Sequence, residues 1–234
     1  MLLKACINGA RRREEHPRLP LSPDEQARAA ADAVRAGANA IHAHVRNANG
    51  DESLDERDVA LLVAAMRASC PATPIGVSTG AWILPDPALR ARTIAQWTTL
   101  PDFASVNFSE EGAAEVARIL LAAGVAVEAG LTEARDAALF VASGLAPACL
   151  RVLLEPQSQD LATALAAVNA MEAALAALPL PRLLHGFDAT AWPLFDEAAL
   201  RGYDARIGLE DTLVLRDGAR AADTAELVRA VVRR

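Results

Sequence analysis

The chain has 234 residues, 53% hydrophobic and 23% charged, with a formal net charge of −7 at pH 7. Such a length and apolar content sustain a sizeable packed core and exclude a disordered chain, while the acidic balance excludes a general nucleic-acid-binding surface, which needs clustered Lys and Arg. Three scattered cysteines, Cys6, Cys70 and Cys149, make neither a disulfide framework nor a zinc finger and point to a reducing, cytoplasmic setting.

In chain order, short β-rich runs alternate with helical segments. Residues 2–8 (LLKACIN) read as a strand, and 22–37 as a helix with Ser22 as N-cap, Pro23 at the first helical position, Glu25 at the capping-box position and Gly37 as its stop. AIHAHV (40–45) is the second strand and 54–70 the second helix. PIGVSTG (74–80) precedes a helix over 88–99, FASVNFS (103–109) a helix over 112–124, and VAVEAGL (125–131) one over 132–144. ACLRVLLEP (148–156) leads to the Ala-rich helix 160–178, RLLHGFD (182–188) to 191–202, and DARIGLED (204–211) to a last helix over 224–234. No run approaches the roughly 18 apolar residues of a membrane span, and the N-terminal apolar patch is too short for a signal sequence. Eight strand-then-helix units with apolar, β-branched strands predict one (β/α)8 TIM barrel domain over 1–234. A doubly wound open sheet is the alternative, but no GxGxxG follows the first strand.

In such a barrel the chemistry sits at the carboxyl ends of the strands. Those ends carry Asn8, His42 and His44, Ser78 and Thr79, Ser105 and Asn107, Glu128, Glu155, His185, Arg206, Glu210 and Asp211. Each alone reads as a strand-end hydrogen-bonding residue; their concentration at one end of the barrel indicates a site. His42 and His44 are two of only four histidines, and side chains at i and i+2 of a strand share a face. They are either satisfied core residues or two Zn²⁺ ligands, with Glu210 or Glu128 as candidates for the third. His185 is placed as a pocket-lining candidate and His16 as surface. The run RRREE (11–15) is a solvated loop or a rim that meets an anionic substrate. Trp82, Trp97 and Trp192 read as packing residues.

Together these stretches resemble the β-keto acid cleavage enzymes, the family that includes 3-keto-5-aminohexanoate cleavage enzyme. The resemblance rests on NGAR (8–11), the segment 19–38, IHAHVRNANGDESLD (41–55), GVSTGA (76–81), FASVNF (103–108), VEAG (127–130) and RIGLEDT (206–212). It implies a zinc-dependent (β/α)8 barrel that reacts a β-keto acid with acetyl-CoA to give acetoacetate and a new CoA thioester, an acyl transfer with carbon–carbon cleavage. It implies His42, His44 and Glu210 as metal ligands and Arg206 with Asp211 as the pair in the carbon–carbon chemistry. It also implies Ser78, Thr79 and Ser105, alongside Asn107, as substrate contacts, Ser78 and Glu128 as catalytic residues with Arg206 and Asp211, and a homo-oligomer. Two departures from the family pattern are Asn47 in HAHVRN and Ala81 in STGA. The chain is also shorter than typical members, chiefly after the third and fourth strands. The third departure is Arg11, where amino-substrate members carry a glutamate; its charge disfavours a cationic substrate. Alternatives are another zinc barrel lyase, aldolase or hydrolase, and a non-catalytic metal-binding barrel.

Overall fold

The computed structural model describes residues 1–232, so the last two residues of the expected terminal helix lie outside the described residues. Eight strands close in sequence order, every neighbouring pair parallel, β1 closing on β8. They are β1 Leu3–Cys6, β2 Ala40–Ala43, β3 Ile75–Ser78, β4 Phe103–Asn107, β5 Ala126–Leu131, β6 Arg151–Leu154, β7 Arg182–Leu184 and β8 Asp204–Ile207. The following helices are α1 Pro23–Ala36, α2 Glu56–Ser69, α3 Pro87–Ile94, α4 Ala113–Ala122, α5 Ala134–Ala142, α6 Leu161–Ala174, α7 Ala191–Arg201 and α8 Thr224–Val232. This is the expected (β/α)8 barrel. None of the described helices is long and apolar enough to cross a membrane.

Local chemistry accounts for the element ends. At α1, Glu25 N–H donates to Ser22 Oγ and the Glu25 carboxylate accepts from Ser22 N–H, the reciprocal box expected from the sequence. Gly37, at φ 121°, then turns the chain and returns its N–H to Ala33 and Val34. The third helix is shorter than expected, ending at Ile94. Beyond it Trp97 is buried and donates its indole N–H to Leu54 O at 2.8 Å, so packing continues where the helix does not.

Each strand has two unlike faces. Outward residues such as Ala5, Ile41, Val77, Val106, Val127, Leu154 and Ile207 join the helices in the main apolar core. The inward face carries Lys4, His42, Ser78, Ser105, Glu128, Arg151, Asp204 and Arg206, as the period-2 geometry requires. Deep in the barrel these charges pair with one another. Lys4 Nζ lies 2.5 Å from Glu128 Oε2, Arg151 Nε lies 3.3 Å from Glu128 Oε1, and Arg151 bridges on to Asp204 at 2.7 Å.

Removing one member of this buried network leaves the other charge desolvated with too few partners. Lys4→Met is expected to destabilise the fold by about 3 kcal/mol, and Lys4→Met/Glu128→Leu to recover most of it. Urea unfolding of the two variants measures this; equal stability of both single and double variants would sink it.

Candidate active site

At the carboxyl end of the strands lies a cavity of about 640 Å³. His42, the third residue of β2, and His44, just past its end, both face it. Glu210 reaches it from the turn after β8. Gly9 makes room for that carboxylate: it sits at φ 61°, and a side chain there would meet Glu210 Cβ at 2.9 Å.

His42 Nε2 lies 3.8 Å from Glu210 Oε2, and His44 Nε2 lies 3.7 Å from Glu210 Oε1. One donor atom from each of the three residues falls within 4.8 Å of the others. Glu210 Oε2 and His42 Nδ1 are buried without a hydrogen-bond partner among the described residues. Behind His44, Glu52 Oε1 lies 2.5 Å from Nδ1, fixing the ring with Nε2 turned to the cluster. A carboxylate behind a ligating histidine is the usual arrangement of metal sites, so the donor set fits a divalent cation with an open position. Burial holds the His42 pKa well below the ordinary range, and Lys4, His44 and Arg206 push it the same way, so its imidazole is neutral as a ligand must be.

Backbone bracing sets this geometry. The Asn8 side chain accepts from His44 N–H and donates to His44 O, both at 2.9 Å. Arg46, third in the HVR stretch, donates to the carbonyls of Gly9 and of Arg11, tying the first and second βα loops together. Its fixed charge and five donors suit that task, which sequence reading did not assign.

Arg206, inward from β8, lines the cavity and holds two carboxylates. Its Nη2 lies 2.6 Å from Glu210 Oε1 and 2.7 Å from Asp211 Oδ1, and its Nε donates to Asp211 at 2.9 Å. Asp211 is fully buried behind it. Burial raises the Asp211 pKa, Arg206 opposes the rise, and neighbouring Glu210 adds to it. Burial pushes Glu210 up as well, but the Arg206 guanidinium, through its charge and its hydrogen bond, outweighs it and holds that carboxylate ionised.

Other expected site residues divide. Ser78, Ser105, Asn107 and Arg11 line the cavity. Thr79 is buried beside it with Oγ1 donating to Ser105 O at 2.8 Å, a strand-bracing contact. Glu128 is not brought to the cluster, either as third ligand or as cavity carboxylate. It sits mid-strand in β5, and its charge is spent on Lys4 and Arg151 in the barrel interior.

Three further expectations are corrected. His16 is buried, not surface, because the first loop folds against the chain before α8 and brings Nε2 to 2.8 Å from Ala221 O. His185 is buried behind the cavity wall, with Nε2 3.1 Å from Glu155 Oε2 and Nδ1 3.7 Å from Asp211 Oδ1. Trp82 is half exposed and lines the cavity mouth, stacked on His44 at 5.9 Å with its N–H donated to Glu52. It thereby covers one face of that histidine.

Comparison with known proteins places these features. The beta-keto acid cleavage enzyme family model matches residues 1–234. A 3-keto-5-aminohexanoate cleavage enzyme of Fusobacterium nucleatum is 38% identical over 81 residues, 34% of this chain and 30% of that protein. The match therefore spans under a third of the curated relative. Among solved structures, ObcA in ternary complex with a C4-CoA adduct and oxalate superposes with a TM-score of 0.74 at 16% identity, covering 93% of this chain and 63% of ObcA. ObcA bound to oxaloacetate gives a TM-score of 0.72 at 17% identity, with the same coverages. At these identities the likeness is one of fold.

Proposed function

The chain belongs to the beta-keto acid cleavage enzyme family, and from that premise we propose that it is a zinc-dependent acyltransferase that reacts a β-keto acid with acetyl-CoA. The products are acetoacetate and the CoA thioester of the acyl group released from the keto acid. The observation that carries the reading is the His42, His44 and Glu210 cluster facing a cavity beside the Arg206–Asp211 pair. ObcA, which shares the fold, is described with oxaloacetate, itself a β-keto acid, and with a CoA adduct. When bound, the zinc ion supplies a Lewis acid that polarises the keto and carboxylate oxygens.

The rest falls to the side chains. Cleavage begins with loss of a proton from the carbon between the two carbonyls. Arg206 presents a fixed positive charge at the cavity wall, where it steadies the negative charge that develops. Asp211 holds the guanidinium in register through Oδ1, and its Oδ2, without a hydrogen-bond partner among the described residues, is the atom that takes up the proton. Ser78 and Ser105, neighbours in register on β3 and β4, contact the substrate from the opposite strands, with Thr79 bracing Ser105.

Arg11 stands at the mouth of the cavity between two carboxylates. Its Nε donates to Glu210 O at 3.2 Å, Nη1 meets Glu15 at 3.1 Å and Nη2 meets Asp188 at 2.5 Å. These two carboxylates offset its charge, so Arg11 fixes the first loop at the mouth rather than presenting a free cation to the substrate. The three cysteines are free and buried, which suits a cytoplasmic enzyme, and exposed Leu61, Leu139 and Leu200 on outer helices suit a homo-oligomer.

The test is elemental analysis of the purified protein together with acetoacetate detection from acetyl-CoA and a panel of β-keto acids. Zinc at one per chain and acetoacetate from at least one panel member are expected. Bound metal with no acetoacetate from any of them would overturn the acyl-transfer reading.

A further inference from the structure

Three strands side by side, β4, β5 and β6, form the cavity wall that the metal cluster and the Arg206 pair do not use. Glu155 follows β6 and lines the cavity, its side chain 11% exposed. Its Oε2 is anchored at 3.1 Å to Nε2 of buried His185. No Lys or Arg among the described residues forms an ion pair with it. Asn107, the last residue of β4, donates Nδ2 to Glu110 Oε1 at 3.0 Å, which turns its Oδ1 the other way. Between them on β5 is Gly130, and a side chain there would begin where Glu155 Oε1 and Asn107 Oδ1 already sit. Only glycine lets the two oxygens converge from either side of the strand. Neither oxygen has a hydrogen-bond partner among the described residues.

The chemistry of the pair is that of an uncharged acceptor site. Burial pushes the Glu155 carboxyl up to about 8, with Arg206 opposing and Glu210 reinforcing. At neutral pH it is therefore mostly the acid, whose Oε2–H donates to His185 Nε2 and leaves Oε1 as a carbonyl-like acceptor. Asn107 Oδ1 is a second neutral acceptor. Two convergent acceptors without net charge match a donor that is itself neutral.

We propose that Glu155 and Asn107 form a specificity subsite for a hydroxyl group on the chain of the substrate, so that the enzyme's substrates are hydroxylated β-keto acids. The inference rests on the reading of the cavity as a β-keto acid site. A substrate lacking the hydroxyl leaves both acceptors buried and unpaired, which costs more than the bond itself contributes.

The test measures binding by calorimetry to the zinc-loaded protein, without acetyl-CoA, of three β-keto acids of one chain length carrying at the same carbon a hydroxyl, a hydrogen or an ammonium group. The hydroxylated acid is expected to bind about tenfold tighter than the unsubstituted one, equivalent to ~1.4 kcal/mol. That ratio should fall to near unity in Glu155→Leu and in Asn107→Leu, while Glu155→Gln, which keeps an acceptor in place, should retain most of it. Equal or tighter binding of the unsubstituted or amino acid, or an unchanged ratio in both leucine variants, would overturn the subsite while leaving the keto-acid reading intact. Failure of all three acids to bind would overturn both.

Discussion

A His44→Ala protein is expected to fold normally, to carry no metal and to show no turnover. Among the described residues three donors, His42, His44 and Glu210, converge on the position, and a catalytic site with two protein ligands does not hold its ion. The fold is spared because His44 lies beyond the end of β2, and its backbone is held by the Asn8 side chain, independently of the imidazole. Elemental analysis and circular dichroism decide the matter: a variant that retains one metal per chain removes His44 from the ligand set. Glu52 extends the argument by one residue. It orients the His44 ring through Nδ1 and anchors Trp82 on the ring's face, so Glu52→Ala should weaken metal affinity by about 10- to 100-fold without abolishing it.

The barrel was legible because its strands announce themselves by period. In IHAHV, VEAG and RVLLE every second residue is apolar and joins the outer core, while the alternates face inward. Reading those strands as simply apolar concealed the second half of that pattern, the buried ionic interior. A signal for it exists: Lys4 is the only lysine in the chain, and a lone lysine inside an apolar strand needs a buried carboxylate. Glu128 is that carboxylate. It was expected among the site residues because sequence shows that a residue lies on a strand but not how deep. His44 and Glu210 lie past their strand ends, whereas Glu128 is followed by three more strand residues. The positions of His16 and Trp82 follow from where loops fold back, against the chain near Ala221 and over His44. No local pattern encodes those contacts, since they depend on tertiary closure of segments far apart in sequence.

Asp211→Asn is expected to keep metal and fold yet lose kcat by a factor on the order of 10² or more, the usual contribution of a positioned acid–base group. Asparagine preserves volume and can still accept a hydrogen bond from Arg206 Nε through its carbonyl oxygen, so the guanidinium stays near its place. Arg206 also keeps its second carboxylate, Glu210, at 2.6 Å, and is not left as an unpaired buried charge. What disappears is the ability to take up a proton and half of the negative field that fixes Arg206 against the cavity wall. The ligand cluster does not include Asp211, so metal content should be unchanged. The effect should fall on kcat rather than on KM, because the exchange removes a proton acceptor and leaves the cavity-lining residues in place. A loss confined to KM would assign Asp211 to substrate binding, and near-native kcat would remove it from the chemistry. The matching Asp211→Glu variant keeps the charge but adds a methylene to a fully buried position. It should recover part of kcat at a visible cost in thermal stability, separating the need for a carboxylate from the need for its placement.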